Sequence, residues 1–498
     1  MTPLDGVSRG QAIFEARLRQ QAETPTPTPP QSEGAPPAGE GSPSPAGAKE
    51  TQPELHRGQL RFAERLVRAN ADRLLHVHGI GWHRYDGTRW AECREGAETR
   101  AVVDLIKEAW RELPELPKAE RDDLLQDIRR VESSAGVAGV LDLAGNLHPC
   151  TTTHEEMDAD PLLLNTRSGT VHLERADLGP AHPADRLSKV TTAAFVPDAA
   201  SGVFEEFLAR VQPDPDMRAY LARQLGSALL GRVREHVLNI WYGTGANGKG
   251  TLRDAVRHAL GDYAIEVPPS VLLLNKYGDQ ALGPEKMRLR GARLAFCSEI
   301  ARDASLDEAT VKNLTGGDPV PAKLLYRNPI EFEPSHTLFM LTNWLPKVSA
   351  DDPAIWRRLQ PVPFNVVVPA TERDPELPEK LHAEADSVLA WLWAGWLDYR
   401  RQGLNPPETV LAAARQYHDD SDLIGRFLAD DSVIVRGHGT VLSSKLYSAF
   451  TDWCRAEGEP PELTNKAFTT ALHKRGFNIA RRTSAGRWWA GLSLRGEQ

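Results

Sequence analysis

His236–Ala255 reads HVLNIWYGTGANGKGTLRDA, a short apolar run followed directly by a glycine-rich loop and a helix-like segment. Strand, loop and helix in that order are the setting of the phosphate-binding pattern G-x-x-x-x-G-K-[ST]. There, backbone N–H groups cradle phosphates, the Lys reaches the β and γ oxygens and the hydroxyl binds Mg2+. Gly243, Thr244, Gly245, Ala246, Asn247, Gly248 and Lys249 fit the pattern. Gly250 then stands where the hydroxyl belongs, and Thr251 supplies one a residue late, about 100° further round a helix. Direct ligation by Thr251 needs a distorted first turn, so a water-mediated contact is expected. Because Mg2+ keeps several waters and needs only one or two protein ligands, the loop is read as working.

A glycine-rich loop is also compatible with a tight turn beside a stray Lys, so the residues downstream decide. ARLAFCSEI (292–300) is an apolar strand ending in Glu299, a carboxylate placed to orient water and join a metal shell. HTLFMLTNW (336–344) is a second such strand, and its terminal amide, Asn343, suits a hydrogen bond to a γ-phosphate and an attacking water. AIWRRLQPVPF (354–364) adds Arg357 and Arg358. An arginine presented to a neighbouring subunit's nucleotide stabilises the charge that develops in the transition state. The expected catalytic set is therefore Lys249, Glu299, Asn343 and Arg358, with Arg357 as second choice. Thr251 and Glu299 are the expected metal-side groups. Any one strand is ordinary core by itself, but the four features in this order point to a nucleotide-binding domain.

These motifs, with LTGGDPVPAKLLYRNPIEFEPSHTLFMLTNWLP (314–346), resemble the superfamily 3 helicase domain of phage and plasmid primase-helicases, a group that includes the poxvirus primase-helicase. The segments NTRSGTVHLERADLGPAHPADRLSKVTTAAFVPDA and DPDMRAYLARQLGSALLG resemble the region preceding the ATPase in the same family, so the likeness covers roughly residues 57–498. The resemblance implies an α/β P-loop core of AAA+ type, preceded by an α+β helicase-associated domain and followed by a winged helix. It also implies a ring, usually hexameric, that uses ATP and Mg2+ to move 3′-to-5′ on DNA during replication of a phage, plasmid or other mobile element. Two departures stand out. No carboxylate cluster suited to primase chemistry is visible upstream, so any primase is expected to be a separate partner. Ser298 replaces the first acid found in many related ATPases, alongside the glycine at 250.

Residues 1–55 are Pro/Gly/Ser/Ala-rich and read as a disordered tether, with one short amphipathic stretch at 8–22. The remaining expectation is a helicase-associated domain over 56–203, the ATPase domain over 204–371, a helical lid or linker over 372–420 and a small mixed domain over 421–498. With a formal charge of −9, any DNA contact must come from local patches. One is the DPVPAKLLYRNP hairpin, presenting Lys323 and Arg327, whose counterpart in the family points into the ring's channel. Another is 464–495, with seven Lys/Arg and no Asp/Glu, where a Thr-capped helix and a hairpin place Lys474, Arg475, Arg481, Arg482 and Arg487. Four scattered cysteines indicate neither a zinc site nor disulfides, and the absence of a signal or long apolar run is read as cytoplasmic. Gly250 and Ser298 favour one alternative, a nucleotide-gated DNA-binding or assembly ring that does not unwind. A defence or packaging ATPase is a third.

Overall fold

The computed structural model describes residues 56–274, 283–302, 304–323, 329–459 and 463–496, all within the unit Glu54–Gln498. The expected tether, the amphipathic stretch inside it and Arg327 lie outside the described residues.

Helices α1 (Gln59–Asn70), α2 (Ala97–Glu112), α3 (Lys118–Val131) and α4 (Ser134–Ala144) open the chain. Apolar residues three and four apart, such as Phe62, Leu66, Val102, Ile106, Leu124 and Ile128, turn one stripe of each of α1 to α3 into a shared core. Beside them β1 (Leu74–Val77), β2 (Gly81–Tyr85) and β3 (Trp90–Glu92) form an antiparallel meander, joined by β4 (Thr151–Thr152) parallel to β1. The β2–β3 turn is where Asp86-Gly87 predicts it, and Asp86 Oδ1 accepts from the N–H groups of Thr88 and Arg89. A second hairpin pairs β5 (Leu163–Thr166) with β6 (Gly169–His172), and β7 (Asp177–Gly179) extends it.

Helices α5 (Val203–Val211) and α6 (Pro215–Ser227) lead into the central layer. In chain order this contains β8 (Leu238–Tyr242), α7 (Lys249–Leu260), β9 (Ala264–Val267), α8 (Gly283–Arg288), β10 (Leu294–Cys297) and α9 (Glu308–Leu314). The hairpin of β11 (Val320–Ala322) and β12 (Ile330–Phe332) follows, then β13 (Thr337–Thr342), α10 (Pro353–Trp356) and β14 (Leu359–Pro363). Five strands lie in the order β14-β8-β13-β10-β9, and every neighbouring pair is parallel. Trp241, Phe296 and Phe339 pack on one face, Ile240, Cys297 and Met340 on the other. Burial on both faces explains why these strands read as unbroken apolar runs.

The hydrophobic core does not stop at residue 203. Leu164 and Val171 of the β5–β6 hairpin share a cluster with Leu252 and Val256 of α7. Helices α11 (Leu377–Ala383), α12 (Ala385–Gln402) and α13 (Glu408–Ser421) occupy the segment expected as a lid or linker, yet α12 is built into the same cluster. Its Gly395 lies so close to α6 that an added Cβ would sit 1.9 Å from Ala222 O, and a Cβ on Gly226 would sit 2.3 Å from the Trp396 nitrogen. Only glycine permits that crossing.

The chain closes with α14 (Leu423–Ala429), β15 (Ile434–Leu442), α15 (Ser443–Ala456), α16 (Asn465–Lys474), β16 (Ile479–Thr483) and β17 (Gly486–Leu494) around a separate core that includes Phe427, Phe450, Phe468 and Trp489. Thr464 caps α16 as its position suggests, accepting from the Ala467 N–H. No helix among the described residues is long and apolar enough to cross a membrane.

Candidate active site

The glycine-rich loop joins the C-terminal end of β8 to the N-terminus of α7, and its backbone explains its composition. Gly243, Gly245 and Gly248 all have positive φ, and Ala246 joins them at φ 51. A Cβ on Gly243 would meet Phe364 O at 2.3 Å, and one on Gly248 would meet Val211 Cγ1 at 2.5 Å. The loop is laced to the segment after β14: Asn247 Nδ2 donates to Phe364 O and the Val368 N–H donates to Ala246 O. Lys249 Nζ donates to Gly243 O at 2.8 Å and to Asn247 Oδ1 at 3.0 Å. Both partners are neutral, and burial lowers the Lys249 pKa to about 8. A buried ammonium with no carboxylate partner among the described residues, at the start of a long helix, favours an anion. Gly250 has no atom within 4 Å of a built Cβ, so a side chain there meets open space.

Strand register sets the other groups beside the loop. Thr342 of β13 pairs with Tyr242 of β8, so Asn343 and Gly243 leave the sheet side by side. Cys297 pairs with Met340, which brings Glu299 level with Thr342. Lys249, Asn343 and Glu299 therefore gather at one edge of the sheet, with Asn343 and Glu299 exposed. Glu299 has φ 62, a left-handed conformation that a non-glycine residue adopts at a cost and that recurs at functional sites. Ser298 beside it is buried and accepts a hydrogen bond from Arg253 NH1 at 2.9 Å. Arg253 also reaches Glu266 and Asp254, on the wall of a cleft of about 1140 Å³ that includes Glu299.

The two arginines occupy the opposite edge. Leu359 of β14 pairs with Leu238, the first residue of β8, so Arg357 and Arg358 lie a full strand length, about 16 Å, from their own chain's loop edge. Arg358 is buried and donates from NH1 to Ala354 O, whereas Arg357 is exposed.

The basic residues expected to meet DNA have different fates. Lys323 follows β11 and is exposed, as are Lys474, Arg481, Arg482 and Arg487. Arg481 stacks on the Trp488 ring at 4.8 Å, and Arg482 pairs directly across the hairpin with Arg487. Like charges in directly opposed positions repel, so that pair is relieved by an anion. Arg475 sits differently: it bonds Asp351 at 2.9 Å and Asp422 at 2.6 Å, which balances its charge within the chain and ties α16 to the loop after β13.

With this geometry in place, comparison with known proteins is informative. Residues 63–213 match the family model described as D5 N terminal like, and residues 241–358 match a family of unknown function, DUF5906. A protein of Acanthamoeba polyphaga mimivirus provisionally named helicase L207/L206 is 25% identical over 413 residues, covering 75% of this chain and 43% of its own length. A Frog virus 3 protein provisionally named helicase 022R is 29% identical over 269 residues, covering 50% of this chain and 27% of its own length. Residues 63–213 therefore resemble the D5 N-terminal region, and the chain is similar to viral proteins provisionally named helicases. It spans less than half the length of these relatives. The apo structure of the NrS-1 C-terminal region aligns at a TM-score of 0.37 and 11% identity, over 61% of this chain and 77% of that one.

Sequence reasoning missed the Arg253–Ser298 contact and the lacing of the loop to Phe364 and Val368. Arg253 carries a weak signal, because it lies four residues after Lys249 and so on the same side of α7. The Phe364 contact has none, since the Asn247 amide meets a backbone carbonyl, which no side-chain type at 364 signals.

Proposed function

We propose that this chain is an ATP-dependent, ring-forming DNA helicase, moving 3′-to-5′ in the replication of a virus, plasmid or other mobile element. The P-loop core resembles an AAA+ ATPase and the C-terminal unit serves as a winged helix. The observation that carries the proposal is the register of the sheet, which gathers Lys249, Asn343 and Glu299 at one edge and sets the arginines at the other. Viral relatives named as helicases support it.

In this mechanism Gly243–Thr251 cradle the phosphates, and Lys249 exchanges two neutral acceptors for phosphate oxygens. Glu299 takes the developing proton charge from the attacking water, and Asn343 orients that water and the γ-phosphate. The donor set fits a Mg2+ ion bound mainly by phosphates and water: Thr251 and Glu299 would hold it, and when bound it shields phosphate charge. An arginine a strand length from its own loop acts on a neighbour's nucleotide, which requires an oligomer, a hexamer in this proposal. In this proposal Arg357 takes the role, a reading that its exposure supports. Arg358, placed first by the sequence, supports it from within. Lys323 of each subunit, with Arg327 beyond the described residues, follows the DNA backbone, and Lys474, Arg481, Arg482 and Arg487 add phosphate contacts without reading sequence.

Strand displacement on a forked duplex, compared in ATP and a non-hydrolysable analogue, tests this. Unwinding in ATP alone supports a helicase. Nucleotide-dependent DNA binding without unwinding supports an assembly ring, the reading favoured by Gly250 and by Arg253 occupying Ser298.

A further inference from the structure

The β11–β12 hairpin rests on two parts of the molecule at once. Val320, Ala322 and Phe332 enter the central-layer core on one side of the sheet. Ile330, directly opposite Ala322, leaves that core and packs instead on the cluster of Leu75, Val77, Ile80, Trp90 and Met157 in the N-terminal region. The contact is close: a Cβ on Gly79, in the β1–β2 turn, would lie 3.5 Å from Ile330 Cγ2. Next to it, His154 Nε2 donates to the Glu331 carbonyl at 3.0 Å. Lys323 immediately follows Ala322, so the joint lies one residue from the exposed ammonium.

We infer that Ile330 and His154 are positioning residues through which the N-terminal region, matched to the D5 N-terminal family, braces the DNA-contacting hairpin. This rests on the helicase reading of Lys323. A phosphate pulling on Lys323 loads the hairpin at its last strand pair, Ala322 with Ile330. A hairpin anchored only in the central layer would yield there, whereas one clamped between two cores transmits the load. The brace engages a backbone carbonyl and an apolar side chain, neither of them in the proposed catalytic set, so it governs how DNA is felt rather than how ATP is cut.

The test uses the full chain and Ile330→Ser, His154→Ala, the conservative Ile330→Val, Lys323→Ala and Lys249→Ala. Basal ATPase, its stimulation by single-stranded DNA, and hydrogen exchange of β11 and β12 without nucleotide are measured. Ile330→Ser and His154→Ala should keep basal turnover within about twofold and lose about tenfold of the DNA-stimulated increment, as Lys323→Ala does, while Ile330→Val retains it. Exchange of β11 and β12 should quicken about tenfold in Ile330→Ser, with α7 unchanged. Unaltered stimulation and exchange in both braced-site variants would overturn the inference, and so would a basal rate falling in parallel with the stimulated one. If the unmutated chain shows no Lys249-dependent turnover, the helicase reading fails. The exchange measurement then decides the brace by itself: quickening confined to the hairpin supports it, and unchanged exchange overturns it.

Discussion

Arg253 donates to Ser298 at 2.9 Å on the lining of the cleft, joining the second turn of α7 to the end of β10. A serine there gives the guanidinium a neutral acceptor, while Glu266 supplies the carboxylate at 3.3 Å. Ser298→Ala removes one hydrogen bond and leaves the ion pair, so it should lower stability by about 1 kcal/mol in denaturant unfolding. No change would show that Arg253 finds water just as readily.

In the proposed site, the Lys249 ammonium should make nucleotide binding depend on pH. Its folded pKa, about 8, is below the ordinary value of 10.5 because burial disfavours the charge. Below pH 8 both folded and unfolded chains hold the proton, and the burial penalty acts in full. Between about 8 and 10.5 the folded group is neutral while the unfolded one remains protonated, so stability from this group rises with pH. ATP binding runs the other way, because phosphate needs the ammonium. Affinity should fall by up to about tenfold per pH unit above 8, and Lys249→Arg should flatten that fall. Titration with a fluorescent nucleotide from pH 7 to about 9.5 reads it.

Neighbouring arginines should separate in their effects. Arg357→Ala should bind nucleotide normally and turn over about 10³-fold slower, and mixing it with Lys249→Ala should restore part of the rate at interfaces pairing an intact loop with an intact arginine. Arg358→Ala should instead cost stability, about 1–2 kcal/mol, through loss of the bond to Ala354 O. No recovery in mixed rings shown to form would count against action in trans.

In the C-terminal unit, reversing Arg482 and Arg487 to Glu should weaken DNA binding and flatten its dependence on salt. Arg475→Ala should leave the salt slope unchanged and loosen the contact with Asp351, seen as faster hydrogen exchange at the end of α16. Unchanged binding in the Arg482/Arg487 variant would assign the hairpin to a protein partner.

Much of the site was legible because parallel strands buried on both faces read as apolar runs, and the polar residue ending each run lands at one edge. Glu299 and Asn343 follow from that rule alone. The Arg253–Ser298 contact was not legible, since residues 45 apart meet only once α7 lies along β10. Nor was the difference in exposure between Arg357 and Arg358, two identical residues distinguished by which side of the short turn after α10 is covered. The place of α12 depends on glycine pairs, Gly226 and Gly395, whose close approach leaves no periodic signal.

The most direct measurement is a Mg2+ titration of DNA-stimulated ATPase in the unmutated chain, Gly250→Ser and Lys249→Ala. A working loop hydrolyses ATP in the unmutated chain and not in Lys249→Ala. Gly250→Ser, which meets open space, should lower the Mg2+ needed for half-maximal rate. No hydrolysis by the unmutated chain at saturating Mg2+ and DNA, with activity appearing in Gly250→Ser, would contradict the helicase and establish a nucleotide-gated ring instead.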